Sequence, residues 1–136
     1  MLKFVAILNK KIETGRLLNA LGHMSAGLGA SYPNKEDLRL LQYKDKDGGA
    51  HPNISYHPFI ILKADNGNQI RTVRKEAISR GIQFTDFTNT MTVGTSEKQL
   101  ENTKNTKEEE LEYYGIVLFD EAEVLREFTS KFSLFQ

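Results

Sequence analysis

Residues Phe4-Val5-Ala6-Ile7-Leu8 form an unbroken apolar run that Asn9-Lys10-Lys11 closes at once. A strand with one wet face alternates apolar with polar, whereas a strand covered on both faces does not. The run is too short for a membrane span or a signal-peptide core. It therefore predicts a central strand over Leu2 to Leu8, in a sheet with helices on both sides.

The rest of the chain supplies those helices. Thr14 is placed to cap a helix from about Gly15 to Leu28. On it Leu17, Leu21, Met24 and Leu28 make one apolar stripe. Arg16, Asn19 and His23 make an adjacent polar stripe at i, i+3 and i+7, shared with Ala20 and Gly27. Gly22, Gly27 and Gly29 each cost roughly 1 kcal/mol of helix stability relative to Ala, which is tolerable where close packing or backbone access is needed. After the break at Ser31-Tyr32-Pro33-Asn34, residues 38–63 read as two strands joined by a long polar connection. Phe59 to Leu62 is the buried one, with Pro58 at its start. A helix from about Gln69 to Ser79 follows, with Ile70, Val73, Ala77 and Ile78 inward, Arg71, Arg74 and Lys75 outward, and Gly81 as its stop. Ile82 to Phe87 alternates as a strand. Ser96 to Asn105 is a polar surface helix or loop, and Glu108 to Glu112 reads as a helix end. Gly115 to Phe119 is a third buried strand, residues 120–129 a helix, and Phe132 to Phe135 a terminal strand. The alternation predicts one α/β domain over residues 1–136, a three-layer α/β/α arrangement around a mixed, mostly parallel sheet of about four to six strands.

Charge narrows the partners. Lys plus Arg is 18 and Asp plus Glu is 18. The balance is uneven along the chain: residues 1–63 hold 9 basic and 5 acidic side chains (9 − 5 = +4), and residues 64–136 hold 9 basic and 13 acidic (9 − 13 = −4). A neutral domain lacks the broad positive surface that coats nucleic acid or an anionic membrane. There is no cysteine, which excludes a thiol nucleophile, a disulfide scaffold and Cys-ligated metal, and fits a cytoplasmic protein. His51 and His57 lack a third ligand, and Asp45-x-Asp47-Gly48 lacks the closing Glu of a calcium loop. No metal and no cofactor are expected.

Two places can carry chemistry. Arg16 can grip a carboxylate or phosphate with its fork, Asn19 can orient a carbonyl or water, and His23 can move a proton. Asp86-Phe87-Thr88-Asn89-Thr90 lies at the end of a strand, where open α/β sheets present ligands. There Asp86 can act as a base and the threonine hydroxyls can donate. The plainer alternatives are an interior histidine beside a surface arginine, and a strand exit whose hydroxyls satisfy turn amides.

The segments Gly15-Arg16-Leu17-Leu18-Asn19-Ala20-Leu21-Gly22-His23 with Gly27-Leu28, Tyr43 to Gly48, Pro58 to Ala64, Phe87 to Met91 and Tyr114 to Phe119 carry a resemblance in their order and spacing. They resemble a bacterial domain family of unknown function that has the fold of the class II (archaeal and eukaryotic type) peptidyl-tRNA hydrolases. Those hydrolases have a Gly-Lys pair with a His seven residues after the Lys; here stand Gly15-Arg16 and His23. They have Asp-Ala-Gly-x-Thr; here stands Asp86-Phe87-Thr88-Asn89-Thr90. Lys is thus replaced by Arg, whose fork stays charged, and Gly by Thr. The resemblance implies a peptidyl-tRNA hydrolase II-like fold and a homodimer. It also implies a hydrolase of an ester or amide bond, with His23, Asp86 and Thr90 catalytic and Arg16, Asn19, Thr88 and Asn89 binding the substrate. A peptidyl-tRNA-like substrate would need phosphate contacts, for which Lys10, Lys11, Arg71, Arg74 and Lys75 are available. The competing class is a non-catalytic module that binds a small anion or a protein through the same pocket.

Overall fold

A computed structural model describes residues 1–136. Strand β1 (Leu2–Asn9) leads into helix α1 (Thr14–Ser31), then a single turn α2 (Lys35–Leu38). Strands β2 (Leu40–Lys44), β3 (Ala50–Ser55) and β4 (Phe59–Ala64) follow, then α3 (Gly67–Arg80) and β5 (Gln83–Thr88). A 3-10 turn at Asn89–Met91, α4 (Ser96–Lys104) and a second 3-10 turn at Glu108–Glu110 lead to β6 (Tyr113–Glu121), α5 (Ala122–Thr129) and β7 (Ser133–Leu134). No helix is long and apolar enough to cross a membrane.

The main sheet has five strands in the order β5-β6-β1-β4-β7. The apolar run is central as expected: Phe4 through Asn9 are all buried. The sheet departs from the expectation of a mostly parallel one. Only β1 and β4 pair in parallel; β1 with β6, β5 with β6, and β4 with β7 are antiparallel. β1, β4 and β5 do run in one direction, as helix crossovers require. However, β6 enters between β5 and β1 in the opposite sense, because the segment 89–112 stays at the carboxyl end of β5 and feeds β6 back down. The polar, aperiodic residues of that segment carry no sign of this return.

Period-two alternation splits the strands between two cores. Phe4, Ala6, Leu8, Phe87, Val117 and Phe119 pack against Leu17, Ala20, Met24 and Leu28 of α1. Val5, Ile7, Leu62, Ile116 and Leu118 pack against Ile70, Val73 and Ala77 of α3 and Leu125 of α5. The result is the expected three layers. Ala20, grouped by spacing with the polar stripe of α1, is fully buried, since its methyl is small enough to lie under the helix edge. α1 begins at Thr14 without a side-chain cap and runs to Ser31, past the expected end at Leu28. Gly81 closes α3 in the left-handed region, φ 68°, as its lack of a Cβ permits.

Residues 38–63 hold three strands rather than two. β2 and β3 form a separate two-stranded ribbon, and β4 alone joins the main sheet. β4 is less covered than its apolar sequence suggests, because its outer neighbour β7 is two residues long. Phe59 is 39% exposed.

Candidate functional site

The carboxyl end of β5 meets the polar stripe of α1. Thr85 Oγ donates to the Met24 carbonyl at 2.8 Å and draws β5 against the helix. One cleft of about 440 Å³ there is lined by Asn19, His23, Phe87, Thr92, Ser96 and Gln99 among others. A second of about 280 Å³ adds Glu13, Gly15, Arg16, Val93 and Tyr114. The two share Asn19, Phe87 and Thr92 and form one groove along α1. A smaller concavity, about 220 Å³, lies on the other face of the sheet between β1, β4 and α5, and its floor is largely apolar. Another of about 340 Å³ between α3 and α5 has a mostly polar lining, in which Glu76 and Glu127 are already paired with Arg80. The α1 groove brings together three polar side chains without partners, a usual mark of a binding site.

A β-bulge shapes its floor. Phe87 pairs with Gly115 and Thr88 with Tyr113, so Tyr114 is the extra residue on β6. Both Gly115 and Tyr114 therefore face α1, and the Tyr114 ring meets Phe87 with centroids 6.0 Å apart. Such bulges re-aim side chains at the edge of a site. The His23 ring stacks on Phe87 with centroids 6.2 Å apart and planes inclined by 26°.

The residues singled out from sequence divide into two groups. Arg16, Asn19 and His23 come together on the groove wall, as their i, i+3, i+7 spacing predicts. None of them makes a side-chain hydrogen bond or ion pair within the chain. Glu13, beside Gly15, puts one carboxylate at the outer end of the groove.

The other group is engaged elsewhere. Alternation along β5 sends Phe84 and Asp86 toward α3 and Thr85 and Phe87 toward α1. Asp86 borders the groove, but its carboxylate accepts from Arg74 Nε of α3 at 2.9 Å. Thr103 donates to the Gln99 carbonyl at 2.8 Å, which uses its one proton. Thr90 must then donate to Thr103, and Thr88 to Thr90, at 2.7 and 2.8 Å. Thr88 Oγ also accepts from the Met91 amide. Asn89 Oδ1 accepts from the Glu112 amide at 3.0 Å. These three residues anchor the 3-10 turn and α4 to the sheet.

Arg71 and Arg74 of α3 are also not free, which corrects the expectation that they look outward to phosphates, whereas Lys75 is exposed as expected. Arg71 donates to the Glu108 carboxylate at 2.8 Å and to the Glu108 and Leu111 carbonyls. Lys10 pairs with Asp65 at 2.8 Å. An extended basic patch does not form, because the acidic second half of the chain folds onto these cations. Glu108 also accepts from the Tyr113 hydroxyl at 2.8 Å. Burial, and then this hydrogen bond, push the Tyr113 phenol up to about 12. The same bond, followed by Arg71, holds the Glu108 carboxyl below its ordinary range.

Phe87, Tyr114, Thr92, Ser96 and Gln99 are groove residues that spacing did not single out. Phe87 and Tyr114 look like core in the sequence, and only the bulge brings the tyrosine to this side.

The fold and groove define a three-layer α/β domain with an open polar cleft at the carboxyl end of an edge strand. The chain belongs to a family of proteins of unknown function, DUF2000, whose model matches residues 2–136. It is similar in structure to a protein of unknown function from Agrobacterium tumefaciens, with a TM-score of 0.84 at 16% identity, over 99% of this chain and 98% of that one. At that identity the likeness concerns the fold. No curated protein matches the sequence.

Proposed function

We propose that the protein binds a small anionic molecule, a carboxylate or phosphate ester, in the α1 groove. The carrying observation is that Arg16 and His23 line two adjoining clefts that share Asn19, while none of the three side chains makes a hydrogen bond or ion pair within the chain. An arginine fork takes a planar oxyanion in a bidentate way, and a neighbouring amide and imidazole add directional bonds. The positive end of α1 lies near Arg16, and the carboxylate of its N-cap residue Glu13 offsets part of that charge. Glu13 repels an anion at the outer end, which sets the bound group on the Asn19 side of Arg16. Calorimetric titration with inorganic phosphate, citrate and a sugar phosphate tests this. Binding that Arg16→Ala removes supports the reading; no binding by any of them, or binding unchanged in that variant, overturns it.

A second reading is that the protein is a hydrolase of an ester or amide bond with a peptidyl-tRNA hydrolase II-like fold. What favours it is the unpartnered His23 imidazole, which stands in the groove beside the Thr92 and Ser96 hydroxyls. His23 would activate water and Arg16 would stabilise the oxyanion. Asp86 and Thr90 would support the site through Arg74 and Thr103, and would not act as a base or donor themselves. Turnover of peptidyl-tRNA or a model ester, lost in His23→Ala, is the outcome this reading requires.

A further inference from the structure

The concavity beside α5 opens on the opposite sheet face from the α1 groove and shares no residue with it. Its floor is Val5 of β1 with Ile60 and Leu62 of β4, and Leu125 and Phe132 pack against them. Its wall is one face of α5, where Ala122, Leu125, Arg126 and Thr129 recur at i, i+3, i+4 and i+7. Two features keep it open. Ala122 offers only a methyl, and β7 pairs with β4 at Leu62 and Lys63 alone, so the space beside Ile60 is left unfilled.

Two cations stand at this apolar hollow. Lys3 shares the sheet face of Val5 by strand alternation, and Arg126 projects from α5. Neither side chain makes a hydrogen bond or ion pair within the chain. The carboxylates near them do not line the hollow. Asp120 lies opposite Lys3 in the β1–β6 register, but β6 and β4 flank β1 on opposite sides, and its carboxylate accepts from the Glu121 amide. Glu121 pairs with the amino terminus and Glu127 with Arg80, while Glu123 is exposed on α5. Thr129 has spent its proton on the Leu125 carbonyl.

We propose that this hollow binds a small monocarboxylic acid with one ring-sized apolar group. The apolar group rests on Val5, Leu62 and Leu125, and the carboxylate meets Lys3 and Arg126. Size sets the class: a dry apolar cavity of about 150 Å³ holds one benzene ring. The volume here, about 220 Å³, adds room for a carboxylate but not for a nucleotide or a long acyl chain. Charge sets it further. A guanidinium fork takes a planar carboxylate in a bidentate way. A second charge on the ligand would have to lie on the apolar floor, which is costly.

Methyl-resolved NMR titration of the full chain with sodium benzoate tests the proposal. Saturable shifts are expected at the Val5, Leu62 and Leu125 methyls. Arg126→Ala should weaken binding about tenfold or more, through loss of the charged hydrogen bonds. Ala122→Leu should abolish it by filling the hollow, and Arg16→Ala, in the other groove, should leave it unchanged. Acetate lacks the apolar body and benzyl alcohol lacks the charge, so each should bind about tenfold more weakly or worse. No saturable shift at those methyls, or affinity unchanged in Arg126→Ala, would overturn the proposal. So would benzyl alcohol binding as tightly as benzoate, loss of binding in Arg16→Ala, or a folded Ala122→Leu that still binds. Arg126 is exposed, so its variant keeps the fold and decides the matter even where Ala122→Leu does not fold.

Discussion

Arg74 Nε donates to the Asp86 carboxylate at 2.9 Å on the α3 face of β5, the opposite face from the helix that carries His23. Both side chains are partly buried, at 29% and 17% exposure, so neither partner is easily replaced by water. Asp86→Asn should therefore destabilise the fold by about 1–3 kcal/mol, the usual cost of leaving a partly buried charge short of its partner. A double-mutant cycle with Arg74→Met should show coupling between the two sites in denaturant unfolding. Additive effects would mean that the pair contributes nothing as a pair.

In the groove, Arg16→Ala should weaken phosphate or carboxylate binding at least tenfold. Arg16→Lys should fall between the two, because it keeps the charge and loses the fork. Titration calorimetry on the three proteins reads this directly. Equal affinity in the Lys and Ala variants would show that charge alone does not hold the ligand.

The hydroxyl chain from Thr88 through Thr90 to Thr103 predicts a local effect. Thr90→Val keeps the volume and removes two hydrogen bonds, each with a net worth of about 0.5–1.5 kcal/mol. Amide exchange in Ser96–Lys104 should speed up more than exchange in β6. Uniform acceleration would instead indicate a global loss of stability.

Tyr113 gives a pH dependence with a definite sign. Its phenol is raised to about 12 in the fold, against about 10 for an unfolded tyrosine. The folded state therefore holds the proton more tightly. The stability this contributes is complete below about pH 10 and is lost as the pH rises through about 12. Tyr113→Phe should flatten that alkaline loss in denaturant melts. At the acid end Glu108 acts in the opposite sense: its depressed pKa contributes stability that is lost as the pH falls through it.

Gly115 sits where the bulge presses β6 against β1 and α1. A Cβ there would lie 2.8 Å from Leu8 Cδ2, 2.9 Å from Met24 Cε and 3.3 Å from the Ile7 carbonyl oxygen. Gly115→Ala should cost about 1–3 kcal/mol, as overpacking of a tight core does. A drop in thermal midpoint of several degrees is expected, and Met24→Ala should cost less in the Gly115→Ala background than in the unaltered chain.

Local sequence determined the central β1, since an apolar run without alternation has no wet face to offer. It also determined the three layers, from the alternation of helical and strand periods, and the Arg16–Asn19–His23 wall, because i, i+3, i+7 spacing fixes a helix face whatever surrounds it. Tertiary structure decided what each face meets. The antiparallel entry of β6 between β5 and β1 depends on where a polar, aperiodic connection of two dozen residues returns, and no local pattern encodes that. Asp86 and Thr90 lie close to His23's partner Phe87 in sequence, yet their groups are used by Arg74 and by Thr88 and Thr103. Period-two alternation sends the first to the other side of the sheet, and the only proton of each hydroxyl can be given once.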